Sequence, residues 1–266
     1  MPELPEVEMF KRYIDATSLH QQIDQVIVKT KKILRKTSEK KLKTVLKNNS
    51  FTEAKRIGKH LFLKLDTGSW MVLHFGMTGK VSYFKNSRNQ PDHTRMLIEF
   101  GNDYCFAFDC QRLFGFVRII DTIKAYVEEK KLGPDALHIS QKEFLDDISR
   151  RHGKIKSVLM NQHILSGIGN IYADEILFQT RIHPATSVDV LSKKQRKKLF
   201  DTISSVLTTA VEKKADFNKY PDEFLIPHRS KQGVCPLNDN HQLKTMKISG
   251  RTSYFCPIHQ KKKKSD

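Results

Sequence analysis

The rhythm of apolar residues changes part-way along this chain, and that change limits the fold more than any other feature. Between about residues 22 and 121 the apolar residues come in short β-branched or aromatic runs, at 23–29, 51–57, 60–65, 70–75, 96–100, 104–109 and 116–120. Gly58, Gly68, Gly76, Gly101 and Gly115 interrupt them. Strands this short and this closely set predict a β-sandwich or barrel. Beyond about 125 the spacing becomes helical. Ser140 followed by Glu143 reads as a capping box, and 157–161, 170–179 and 192–213 read as further helices. A leading helix is predicted over 3–16, where Leu4, Val7, Phe10 and Ile14 share one face. The expected class is α+β. It divides into a β-sandwich domain with its leading helix (1–125), a helical domain (126–227), a small unit (228–260) and a basic disordered tail (261–266).

Charge says what such a chain meets. Lys and Arg number 47 against 29 Asp and Glu, a formal net charge of +18. The excess is spread along the chain, with clusters at Lys29–Lys36 and Lys193–Lys198. A phosphate polyanion is the natural partner of such a surface. No apolar run approaches the roughly 20 residues of a membrane span. Glu3, Glu6 and Glu8 do not suit a signal peptide. A cytoplasmic protein, reduced at its four cysteines, is therefore expected.

Two of those cysteines sit among histidines. Five residues separate Cys235 from His241, two separate Cys256 from His259, and fourteen lie between the pairs. Paired ligands across a hairpin-length spacer can close a tetrahedral zinc shell of two sulfurs and two nitrogens. Four protein ligands leave no open position, so such a zinc would be structural. It would anchor a segment too small to fold on its own core.

The N-terminus offers a different chemistry. Pro at position 2 permits removal of Met1, leaving a secondary α-amine. Such an amine titrates near pH 8 and can form an iminium with a sugar carbon. Glu3 would be the neighbouring proton-transfer group. On spacing alone, Pro2 and Glu3 are equally an ordinary helix start, since Pro and an acidic residue suit a first turn.

The opening Pro2-Glu3-Leu4-Pro5-Glu6-Val7-Glu8 closely resembles the start of the formamidopyrimidine-DNA glycosylase and endonuclease VIII family. Four further stretches resemble that family in order. Arg56–Leu63 is similar to its lysine-bearing β-turn, and His74-Phe75-Gly76-Met77-Thr78-Gly79 to its His-Leu-Gly-Met-Ser-Gly loop. Gln162–Leu177 is similar to its helix-two-turn-helix, and Gly250–Pro257 to the last half of its zinc finger. The resemblance implies a β-sandwich joined to a helical domain bearing a β-hairpin zinc finger. It implies a monomer that binds double-stranded DNA carrying a damaged base or abasic site, with DNA in the cleft between the domains.

By the same resemblance Pro2 is the nucleophile at the sugar C1′, and Glu3 opens the sugar ring and moves protons. Lys59 reaches into the site, and Glu6 is a structural carboxylate of the helix start. His74, Lys156, Asn170 and Arg251 fall among the DNA-contacting positions, the last three against the phosphate backbone. Met77, Arg112 and Phe114 are the side chains that fill the void left by an extruded base. Cys235, His241, Cys256 and His259 bind one structural zinc. The activity implied is excision of oxidised bases, with 8-oxoguanine and formamidopyrimidine types favoured, followed by β,δ-elimination at the abasic site. Alternatives are a preference for oxidised pyrimidines or hydantoins, or a damage-binding protein without catalysis.

Three departures from the family pattern stand out. His241 and His259 replace the second and fourth cysteines of the finger. The loop Asp109–Gly115 is one residue longer than the usual Asp-x-Arg-x-Phe-Gly. The stretch 215–233 lacks the glycine- and serine-rich segment that caps a flipped oxidised purine in formamidopyrimidine-type enzymes.

Overall fold

A computed structural model describes residues 1–262. The basic tail expected over 261–266 lies mostly outside those residues. The chain forms two compact units. The first comprises Met1–Pro2 and Glu6–Lys131; the second comprises Glu3–Pro5 and everything from Leu132 onward.

The first unit contains α1 (Leu4–Thr17) from Glu6 onward, followed by β1 (Ile23–Val28), α2 (Glu39–Leu46), β2 (Phe51–Ile57), β3 (His60–Leu65) and β4 (Trp70–His74). Then come β5 (Gly79–Lys85), β6 (Thr94–Phe100), β7 (Tyr104–Cys110), β8 (Phe116–Ile120) and α3 (Ile123–Lys130). The strands form two four-stranded antiparallel sheets, ordered β1-β6-β7-β5 and β2-β3-β4-β8. Leu61, Leu63 and Leu73 from one sheet meet Ile98, Phe106 and Phe108 from the other in a single apolar core, which makes the unit a β-sandwich. Val7 and Ile14 of α1 join that core.

Two elements were hidden by their polarity. Strand β5 carries lysines at Lys80 and Lys85, yet it pairs with β7 along its whole length from Gly79 to Lys85. Helix α2 carries four charges in eight residues. Its register is set by Leu42 and Leu46, four apart and both buried, and by Ser38, whose side chain accepts from Lys41 N.

The second unit contains α4 (Gln141–Ser149), α5 (Ile155–Met160), α6 (Asn170–Gln179) and α7 (Lys193–Glu212). Tyr172, Ile176 and Leu177 of α6 pack with Ile203 and Leu207 of α7 in its core. Four short strands follow: β9 (Val234–Cys235), β10 (Asn238–Gln242), β11 (Lys244–Ile248) and β12 (Arg251–Phe255). The β11–β12 hairpin turns on Ser249 and Gly250, both at positive φ (49° and 73°), the conformation of a two-residue turn that suits strand twist.

Leu73 lies on β4, between β3 and β8, and is fully buried. Leu73→Ala is expected to cost about 2–5 kcal/mol, read as a lower urea midpoint for the first unit at unchanged slope.

Candidate functional site

Helix α6 is almost wholly buried, and it begins at a glycine pair. Gly169 contributes no side chain to cap the helix. The Glu3 carboxylate takes that role from 166 residues away, accepting from the backbone N–H groups of Gly169 (2.7 Å), Ile171 (2.9 Å) and Tyr172 (3.4 Å). Donors left over at a helix N-terminus and the positive end of the helix dipole both favour an anion there. Glu3 is 1% exposed. A Cβ on Gly169 would stand 2.3 Å from Glu3 Cδ, so only glycine admits the carboxylate. Next door, Leu4 N–H donates to Gly167 O (3.0 Å), and a Cβ on Gly167 would meet Leu4 Cδ1 at 2.5 Å. The start of the chain is thus fixed at its third and fourth residues. Pro2, half-buried, directly precedes this anchor, and Met1 is exposed. Glu6 lies in the first turn of α1, where its charge suits the helix dipole.

Asn170, half-exposed, is the first residue of α6. Its Nδ2 donates to Thr252 O (3.0 Å) on β12, beside the exposed Arg251. Lys156 differs from expectation. Instead of facing solvent or a phosphate backbone, it is fully buried on α5, and its ammonium donates to Asn170 Oδ1 (2.7 Å), Asp174 Oδ1 (2.6 Å) and Ser253 Oγ (2.6 Å). An ammonium has three protons, and in this arrangement all three are engaged within the protein. Adjacent carboxylates, Asp174 and Glu175, inside a buried and mainly apolar helix were the overlooked signal.

In the first unit Lys59 sits in the two-residue turn between β2 and β3, which bends on Gly58 (φ 56°). His60 and His74 lie opposite each other on β3 and β4, with rings 4.8 Å apart. His74 also stacks on Phe116 (5.1 Å), and its Nδ1 accepts from Gly76 N–H (3.2 Å). Burial, reinforced by the His74, Lys130 and Lys59 charges, pushes His60 down to about 3. Burial, then the Lys59 and Lys130 charges, pushes His74 down to about 4. Both rings are therefore neutral near pH 7, and His74 can meet a phosphate only as a neutral donor.

The residues expected to fill a base-sized void sit on two loops. Phe114 is 57% exposed, unusual for an aromatic with a core to join, and Arg112 stacks its guanidinium on that ring at 5.3 Å. Met77 is half-buried. The loops touch backbone to backbone. Gly76 adopts φ 57°, and a Cβ there would lie 2.4 Å from the Phe114 carbonyl carbon. Arg112 N–H donates to Thr78 Oγ1 (3.1 Å). Leu113, between Arg112 and Phe114, adopts φ 56°.

At the C-terminal end, the ligand atoms of Cys235, His241 and Cys256 lie within 4.8 Å of one another and could hold a metal ion. Backbone N–H groups of Leu237 and Asn238 face the Cys235 sulfur, and His259 N–H donates to Cys256 Sγ (3.4 Å). Amide-to-sulfur bonds of this kind suit a thiolate. The His259 ring stands outside the three-residue group and packs on Phe178 at 4.8 Å.

The stretch 215–233 is tied along α6. Tyr220 and Tyr172 share a hydroxyl hydrogen bond (2.8 Å), Gln179 Nε2 donates to Glu223 O (3.0 Å), and Ile226 N–H donates to Glu175 Oε2 (2.8 Å). Burial pushes Glu175 up to about 7, against the bonds from Gln179, Ile226 and Leu225.

Residues 1–117 match the formamidopyrimidine-DNA glycosylase N-terminal domain, and residues 132–225 match the H2TH domain of the same proteins. A formamidopyrimidine-DNA glycosylase of Solibacter usitatus is 33% identical over 98% of this chain and all of its own length. One from Mycoplasma genitalium is 32% identical over 98% of this chain and 96% of its own. Among solved structures, Lactococcus lactis Fpg in complex with abasic-site DNA superposes with a TM-score of 0.88 at 25% identity, over 98% of this chain and all of that one. MutM in complex with carbocyclic 8-oxo-G DNA superposes at 0.89 and 26%, with the same coverage. The chain belongs to the formamidopyrimidine-DNA glycosylase family. No helix among the described residues is long and apolar enough to cross a membrane.

The buried histidines generate a pH dependence with a definite sign. An unfolded chain takes up a proton at each histidine near its ordinary 6.5, whereas the folded first unit holds His60 and His74 neutral down to about 3 and 4. Their contribution is complete above pH 6.5 and is lost as pH falls from 6.5 toward 4. The slope is at most about 1.4 kcal/mol per pH unit for each. His60→Phe is expected to flatten half of that slope in urea melts at successive pH values.

Proposed function

We propose that this protein excises oxidised purines from double-stranded DNA and then cleaves the abasic site, using the nitrogen of Pro2. Removal of Met1 exposes the amine. The nitrogen attacks the sugar C1′, and the bond from C1′ to the base nitrogen breaks with its electron pair leaving on the base. The proton on the attacking nitrogen passes to the Glu3 carboxylate, which delivers it to the ring oxygen as the sugar opens, leaving an iminium between Pro2 and C1′. Loss of a proton from the adjacent sugar carbon expels the 3′ phosphate, and a second elimination expels the 5′ phosphate. Hydrolysis of the iminium restores the amine.

One observation carries this reading: the carboxylate that follows Pro2 is fastened to the start of α6 by three backbone N–H groups, one residue from Asn170. That anchor fixes the position of the nitrogen next to it, and preorganisation of this kind lowers the barrier to attack. Asn170 and Arg251 bind phosphates flanking the extruded nucleotide, and Lys59 supplies positive charge in the site. His74 donates as a neutral ring. Met77, Arg112 and Phe114 enter the gap in the base stack. Cys235, His241 and Cys256, completed by His259, would hold one zinc. A closed shell of protein ligands supplies no reaction chemistry and only fixes the hairpin that carries Arg251.

Borohydride is expected to trap the processed protein covalently on abasic-site DNA. Pro2→Gly should reduce trapping at least tenfold. An undiminished adduct from that variant, or none from the wild type, would refute the mechanism. Metal analysis is expected to find one zinc per chain. Its removal by a strong chelator should lower Tm and open 230–260 to proteolysis. Chelator treatment that leaves melting and proteolysis unchanged would count against a structural zinc.

A further inference from the structure

We infer that Asp174 is a positioning residue for DNA binding: through Lys156 it sets which way the Asn170 amide faces. The inference rests on the reading of Asn170 as a phosphate anchor.

An amide side chain is ambiguous, because its oxygen accepts and its nitrogen donates, and only the neighbours decide which faces where. Here the decision is unequivocal. The Lys156 ammonium can only donate, and it lies 2.7 Å from Asn170 Oδ1. The amide nitrogen must therefore face the other way, where it donates to Thr252 O at 3.0 Å. Nδ2 carries a second proton, which has no acceptor among the described residues. A phosphate oxygen is the partner such a donor suits at the start of a helix. With the amide reversed, Oδ1 would face the phosphate, and two acceptors would repel.

Lys156 can do this only if its charge is tolerated. The side chain is fully buried, and a buried ammonium without a counter-ion is strongly unfavourable. Asp174, also fully buried, supplies that counter-ion at 2.6 Å. Its other oxygen accepts from Arg229 (2.8 Å) and from the Tyr254 backbone N–H (3.1 Å), which immobilises the carboxylate. Without the carboxylate, Lys156 would lose its proton or swing away, and either outcome weakens the hold on Oδ1, leaving Thr252 O as the amide's remaining restraint.

A double-mutant cycle tests this. Binding to a duplex with a non-cleavable abasic analogue is measured across a range of salt for wild type, Asn170→Ala, Asp174→Asn and the double variant. Each single variant is expected to bind about tenfold more weakly, and Asn170→Ala to leave the salt slope unchanged, because an amide neutralises no phosphate charge. Asp174→Asn is expected to add less than twofold in the Asn170→Ala background. Lys156→Met leaves Asp174 paired with Arg229, so it serves where Asp174→Asn fails to fold. It should show the same non-additivity. A full additional loss in the Asn170→Ala background would show a merely structural role and overturn the inference alone. Wild-type binding by Asn170→Ala would instead overturn the anchor reading, and the inference with it. Borohydride trapping through Pro2 reports separately on the lyase.

Discussion

A carboxylate placed on the end of a helix organises the rest of this molecule. Helix α6 starts after a glycine that cannot cap it, and Glu3 satisfies the orphan N–H groups instead. The pairing solves two problems at once. It removes an unsatisfied helix end from the interior of the second unit, where it would be costly. It also fastens the beginning of the chain, normally its least ordered part, at the residue next to Pro2. Gly167 and Gly169 are the condition for it, since a side chain at either would occupy the space of Leu4 or Glu3. The two glycines look like loop punctuation in the sequence, but they are required for close approach.

Much of the fold was legible because period and burial agreed. Helix α6 has the limits its sequence suggested, and the predicted strands occur with ends within a residue or two. The elements that escaped are those whose stability comes from pairing or from few contacts. Strand β5 gains its order from seven partners on β7 rather than from its own lysine-bearing sequence, and α2 hangs on two leucines. Site residues divide along a similar line. Where chemistry depends on chain order, as for Pro2 beside Glu3, sequence sufficed to nominate them. Where it depends on which partner lies nearby, it did not. Lys156 reads as one more surface cation in a chain of net charge +18, and nothing local reveals that three acceptors enclose it. Nor does spacing reveal that the His259 ring packs on Phe178.

Two buried clusters, one in each unit, treat charge in contrasting ways. In the second, buried charge is kept and compensated: Asp174 balances Lys156 and Arg229, and each remaining donor on the lysine has a neutral acceptor. Such a cluster adds little net stability, but it admits few alternative arrangements. In the first unit the buried histidines avoid charge altogether, held neutral between aromatic rings and nearby lysines. A neutral imidazole keeps a directional donor without a desolvated cation. The start of α7, by contrast, gathers cations in a first turn that contains no acidic residue.

The backbone contact between Gly76 and Phe114 has a kinetic consequence. Loops that carry probing side chains are commonly mobile, and freezing them on arrival at a target costs conformational entropy each time. Here the segment bearing Met77 and the segment bearing Arg112 and Phe114 are interlocked before any encounter, by a contact too tight for even a methyl group. The side chains proposed to enter the base stack thus stand on loops that are already packed together. On that proposal, discrimination between sound and damaged steps rests on how readily the duplex yields, not on how these loops rearrange.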